Sequence, residues 1–160
     1  MRILVDADSC PRKARDLVLR FSARLAIKTI FAANRPIPGI PPPKKGNQSP
    51  SEELVQMELC SKEEGAADDR IVALALPGDL ALTRDLPLAE RLVDAGIPVM
   101  DDRGRIFTKE NIRQLRSLRD FTVGLAENGM EYERTASYGK KELASLANSL
   151  DREITRLTKQ

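Results

Sequence analysis

Apolar residues in this chain fall into short continuous runs that alternate with stretches where they recur at helical spacing. Residues 2–5 contain the first run, Ile3-Leu4-Val5, followed at once by Asp6 and Asp8; this reads as a buried strand. After Pro11, residues Ala14, Leu17, Val18, Phe21 and Leu25 recur at intervals of three, four and seven. That spacing predicts an amphipathic helix whose first turn suits Pro11. The next run, LAIKTIFAA, reads as a second strand. The first 33 residues thus form a strand-helix-strand unit, which a right-handed crossover makes parallel. Then follows NRPIPGIPPPKKGNQSP, with prolines at 36, 38, 41, 42, 43 and 50. Neither a helix nor an inner strand tolerates these, so the segment must be a loop, and loops of such length are often functional.

The alternation continues beyond it. ELVQMELC predicts a strand and GAADDRIVALAL a helix ended by Pro77 and Gly78; DLALT is a strand, LPLAERLVDA a helix closed by Gly96, and IPVMD a further strand. Thr108 caps a helix over KENIRQLRSLRDF. In the last segment Leu143, Leu146, Ala147, Leu150, Ile154 and Leu157 share one helical face. The expected fold is α/β, with a mostly parallel central sheet flanked by helices over 1–130. A helical extension over 131–160 is expected to pack on the same domain or on a partner subunit.

Composition narrows what such a domain can do. With 160 residues, 41% of them hydrophobic and only 4% aromatic, the chain can bury one ordinary core built mostly of Leu, Ile, Val and Ala. The 26 basic and 24 acidic residues leave +2, so overall charge indicates neither a nucleic-acid binder nor a disordered tail. No stretch approaches the roughly 18 apolar residues of a membrane span, and the first apolar run is far short of the roughly 7 to 15 in a secretory signal. A cytoplasmic protein with no membrane partner is expected. Cys10 and Cys60 match no metal or redox spacing. Histidine is absent, which excludes Ser-His and Cys-His triads, His-ligated zinc and imidazole acid-base chemistry.

What remains is chemistry by carboxylates, and several fall where an open parallel sheet binds its ligands, at the carboxyl ends of the strands. Asp6 ends the first strand and Asp8 follows it, while Asp85 comes directly after LALT. Asp68 lies on the same side of its helix as Ile71, Val72 and Ala75, at the rim of the buried face; Asp69 is turned about 100° away. Clustered acids repel unless a cation neutralises them or some take up protons. Hard oxygen ligands select Mg²⁺ or Mn²⁺, which polarise phosphoryl oxygens and acidify water. Each acid also has a plain reading. Asp8 or Ser9 could cap the helix after Pro11, Asp85 could cap the helix through Pro87, and Asp68 and Asp69 could simply favour a helix dipole. Asp79 precedes its strand and belongs to the opposite edge. Cys10 could be an activated thiol near a helix N-terminus, though no base stands beside it in sequence and a buried thiol is the simpler reading.

Positive charge is concentrated in 103–119, with six basic residues against Glu110. Lys109, Arg113 and Arg116 form a stripe beside an apolar one of Ile112, Leu115 and Leu118, and could lie along a phosphate backbone or simply face solvent. Lys44 and Lys45 in the proline loop, Arg84 and Arg103 could also reach substrate phosphates.

The motifs DADSCP at 6–11, AN at 33–34, ADD at 67–69, GDLALTRDLPLA at 78–89, RG at 103–104 and RDF at 119–121 resemble the YaiI/YqxD family of bacterial proteins. By resemblance that family joins the PIN-like superfamily, whose nucleases hold Mg²⁺ or Mn²⁺ with acids. The resemblance implies a Rossmann-like PIN domain in which Asp6, Asp68 and Asp85 hold one or two such ions and Thr83 completes a Thr-x-Asp. Asp8 matches the family's own second acid and would orient water or hold a second ion. Asn34 falls among the residues expected to contact substrate.

These readings lead to a metal-dependent nuclease acting on RNA, with Asp6, Asp8, Asp68 and Asp85 as its catalytic acids and a homo-oligomer as one expected state. Two alternatives stay open. One is a PIN-like module that binds nucleic acid or protein without catalysis, and the other a haloacid-dehalogenase-like phosphatase with Asp6 as nucleophile.

Overall fold

The computed structural model describes residues 1–42, 54–129 and 137–159; Lys44 and Lys45 lie outside them. Five strands and five helices follow in the order β1 (Ile3–Asp6), α1 (Arg12–Leu25), β2 (Thr29–Ala33), β3 (Val55–Leu59), α2 (Ala66–Leu74), β4 (Leu80–Leu82), α3 (Leu86–Asp94), β5 (Val99–Met100), α4 (Lys109–Glu127) and α5 (Lys140–Thr158). The strands form one sheet in the order β3-β2-β1-β4-β5, and every neighbouring pair is parallel. The chain winds outward from β1 through β2 to β3, then returns to add β4 and β5 on the other side. The winding therefore reverses between β1 and β4, where the carboxyl ends of a doubly wound sheet open a crevice.

The period-two alternation of side chains feeds two cores, one on each face of the sheet. Ile3, Val5, Phe31, Leu80, Leu82 and Met100 point to the face covered by α1 and α5. Leu4, Ile30, Ala32, Ala81 and Val99 point to the face covered by α2, α3 and α4. On α5, Leu146, Leu150, Ile154 and Leu157 are buried in the first core, so the extension packs on this domain. Its seat is tight at Gly104, which has φ 80°. A Cβ there would lie 2.7 Å from the Ser145 carbonyl oxygen, 2.7 Å from Ser149 Oγ and 2.9 Å from Ser149 Cβ.

Two expectations need correction, and one gains a detail. Leu25, read as the last apolar residue of the α1 face, is 41% exposed. The helix ends there because Ala26 turns left-handed (φ 53°), and Ile27 takes the core position instead. The proline segment is a loop over its described part, but Ile37 and Ile40 anchor it in the first core. Helix α4 runs to Glu127, past the expected end at Phe121, and its apolar stripe is buried only in part. Ile112 is buried and Leu115 partly so, while Leu118 is 53% exposed. The cause is length. Ion pairs Lys109–Asp94 and Arg116–Glu90 set α4 antiparallel to α3, and a helix of nineteen residues, about 28 Å, outruns one of nine, about 13 Å.

The amino edge of the sheet is closed by Asp79. It is 3% exposed and accepts hydrogen bonds from the backbone N–H and the guanidinium of Arg2 and from the Leu76 N–H. No helix among the described residues is long and apolar enough to cross a membrane.

Candidate active site

At the opposite edge, the carboxyl ends of β1 and β4 meet across the switch point. Asp6 closes β1 and is buried. Its Oδ2 accepts from Ser9 Oγ at 2.6 Å and from Thr83 Oγ1 at 2.8 Å. Ser9 Oγ in turn accepts from the Arg84 N–H at 3.2 Å, and Thr83 Oγ1 from the Asp85 N–H at 3.0 Å. Two hydroxyls thus knit the β1–α1 and β4–α3 loops around one carboxylate.

The capping readings separate here. Asp85 is the N-cap of α3, its Oδ1 accepting from the Leu88 N–H at 2.8 Å. Neither Asp8 nor Ser9 caps α1, whose N-cap is Pro11 with no side-chain bond. Asp8 instead reaches sideways to β2, accepting the Asn34 N–H at 2.9 Å and lying 3.6 Å from Arg35 Nε. Asn34 Oδ1 is buried with no hydrogen-bond partner among the described residues.

Asp68 stands half-buried in the first turn of α2, while Asp69 faces solvent and pairs with Arg91 at 2.8 Å, as the helical geometry predicts. Burial first, then the charges of Asp85 and Asp6, push the Asp68 carboxyl up to about 6, against the pull of Arg91. The acids of β1, α2 and the β4–α3 loop therefore share one electrostatic field. Among the described residues, however, no three acids or thiols stand close enough to cage an ion as they are. The donor set is entirely hard oxygen, which suits Mg²⁺ or Mn²⁺. Asp68 accepts no hydrogen bond among the described residues, so it has a carboxylate to offer.

Because its ordinary value is near 3.9, Asp68 prefers its uncharged form in the fold, an advantage complete below about pH 4 and lost as pH rises through about 6. Asp68→Asn should therefore match the wild type near pH 4 and exceed it in stability near pH 8. Urea unfolding at both values checks this, and equal stability at pH 8 would mean that the charge is already compensated.

An open cleft of about 460 Å³ lies beside these acids, lined by Asp8, Ser9, Arg84, Asp85, Leu86 and Arg119. Arg119 and Ser9 were not among the residues singled out for substrate contact. A third is Asp102, a buried acid whose Oδ1 is 3.5 Å from Nε of the cleft-lining Arg84. Burial raises its pKa, which Arg84 opposes. The signal for Arg119 was its place in the RDF motif; nothing in the sequence marked Asp102. Cys10 is buried, and its thiol is pushed up to about 12 by burial, then by Asp102, so the plain buried thiol is the right reading. Of the basic stripe, Lys109 and Arg116 are spent on the α3 acids and Arg113 is exposed. Arg103 pairs with Glu142 of α5 at 3.5 Å.

Fold and site together define a doubly wound α/β domain with an acidic crevice at its switch point. The chain belongs to the YaiI/YqxD family: the family described as "Uncharacterized BCR, YaiI/YqxD family" matches residues 4–156. It is 44% identical to the UPF0178 protein of Treponema pallidum (strain Nichols) over 157 residues, covering 98% of this chain and 83% of that one. It is also 44% identical to the UPF0178 protein of Treponema denticola over 160 residues (100% and 96%) and 38% identical to that of Myxococcus xanthus over 159 residues (99% and 97%). No solved structure matches the chain.

Proposed function

We propose that this protein is a divalent-metal-dependent phosphodiester hydrolase acting on RNA. The observation that carries the reading is the shared field of Asp6, Asp68 and Asp85 at the switch point, where burial first, then the charges of Asp85 and Asp6, hold the Asp68 carboxyl near 6. Such an arrangement is uncomfortable without a cation. The likeness of these positions to the metal-binding acids of PIN-like nucleases supports it by analogy.

Asp6, Asp68 and Asp85 would hold Mg²⁺ or Mn²⁺, which supplies Lewis acidity to a phosphoryl oxygen and to water. Ser9 and Thr83 fix the rotamer of Asp6 through its Oδ2, leaving Oδ1 for other partners. Asp85 spends Oδ1 on its helix cap, which leaves Oδ2 for another partner. Asp8 is exposed at the mouth of the cleft, where a carboxylate can orient a water and take its proton.

The non-catalytic binding module loses support because two of the three cations in its stripe are tied to α3. The phosphatase reading lacks a lysine among the described residues that line the cleft. Purified protein should cleave single-stranded RNA with Mn²⁺ or Mg²⁺, lose activity in a chelator, and drop at least about a hundredfold as Asp6→Asn. Cleavage of equal rate in Asp6→Asn would reject the assignment.

A further inference from the structure

We infer that Arg84 and Arg119 form a guanidinium pair that grips the phosphodiester backbone of single-stranded RNA without reading its bases, and that buried Asp102 is the positioning residue for Arg84. This rests on the hydrolase reading, since the pair borders the same cleft as Asp8 and Asp85.

The two arginines come from different elements, Arg84 from the β4–α3 loop and Arg119 from α4, and both line the cleft. Arg119 has no ion pair among the described residues, unlike Lys109 and Arg116 on the same helix. It is a cation beside an acidic crevice with its charge unspent. Arg84 is fixed at two points. Its backbone N–H rests on Ser9 Oγ, and Nε lies 3.5 Å from Asp102 Oδ1. That carboxylate side chain is 4% exposed whereas the arginine side chain is 51% exposed, so Asp102 anchors the inner edge of the fork and leaves the outer one to solvent. A planar fork held this way is organised for an oxyanion before the ligand arrives.

Two cations flanking two acids suit a substrate that brings negative charge to a site intended for a metal. The lining also says what is not read. Of the six described residues that line it only Leu86 is apolar and none is aromatic, so among the described residues the cleft offers no ring on which a base could stack. Contact through this lining runs to phosphates, which position a strand but carry no sequence information.

The test is fluorescence anisotropy with 5′-fluorescein-labelled RNA homopolymers of about 12 nucleotides, in EDTA so that no cleavage intervenes. Oligo-U, oligo-A and oligo-C should bind within about threefold of one another. Arg84→Ala and Arg119→Ala should each weaken binding about tenfold and lower the salt slope by about one, while Arg119→Lys keeps most of that slope. Asp102→Asn should weaken binding about threefold, and its effect should vanish in an Arg84→Ala background. Binding within about twofold of wild type in both alanine variants, more than about tenfold preference for one base, or additivity of Asp102→Asn with Arg84→Ala overturns the inference. The two readings fail separately. Arginine variants that bind normally while Asp6→Asn still abolishes cleavage overturn the clamp alone; weakened binding in the arginine variants, with cleavage of equal rate in Asp6→Asn, overturns the hydrolase reading alone.

Discussion

Gly104→Ala should destabilise the protein by about 3 to 5 kcal/mol, a large share of the roughly 5 to 15 that hold a domain together. Two costs combine. With φ at 80° the new side chain sits in the left-handed region, which costs about 1 to 2 kcal/mol for a residue with a Cβ. The methyl group also meets the Ser145 carbonyl oxygen at 2.7 Å. Ser149 Oγ, at the same distance, can rotate away, but Ser145 O belongs to the backbone of α5, so relief requires that helix to move. Moving it opens the core around Leu146 and Leu150, both fully buried. A urea titration measures the loss, and adding Ser149→Ala should recover only a minor part. A fall of less than about 1 kcal/mol would mean that α5 seats more loosely than its contacts indicate.

Asp79→Ala and Asp6→Asn should separate stability from activity at the two edges of one sheet. At the amino edge Asp79 accepts hydrogen bonds from the Arg2 guanidinium and from two backbone N–H groups. Removing it strands a partly buried cation and those donors at once, an expected cost of about 3 to 5 kcal/mol with the rate of RNA cleavage per folded molecule unchanged. At the carboxyl edge, Asp6→Asn keeps a side-chain oxygen for the hydroxyls of Ser9 and Thr83 and removes one of the charges that press on Asp68. Stability should change by less than about 1 kcal/mol while cleavage is lost. Calorimetry and a cleavage assay on the same preparations check both halves. Loss of activity per folded molecule in Asp79→Ala would mean that the amino edge also shapes the site.

The order of strands and helices was legible because each apolar run carries its own period, and Pro, Gly and Thr108 punctuate them. The carboxyl-edge acids were legible for the same reason: Asp6 and Asp85 follow strands directly, and their edge follows from parallel topology. Whether an acid caps a helix was not. Asp85 does and Asp8 does not, a difference decided by where α1 begins: Pro11 takes the N-cap position, and Asp8 stands three residues before it. Partners contributed by other helices were hidden too. Nothing near Lys109 or Arg116 in sequence announces Asp94 or Glu90, and Asp102 acquires its meaning only when Arg84 folds over it. The exposure of Leu118 depends on the length of a neighbouring helix, which no periodicity within α4 contains.

The seam between β1 and β4 also sets when the crevice can come into being during folding. Thr83 and Asp6 are 77 residues apart in the chain, whereas Asp8 and Asn34, which join β1 to β2, are separated by 26. Loop-closure entropy makes the longer contact costlier by about 1 kcal/mol, so the β1-α1-β2 unit gains its contacts first. Partly folded chains then carry half the acids on one side and no hydroxyl from Thr83, and the crevice is complete only once β4 has docked on β1.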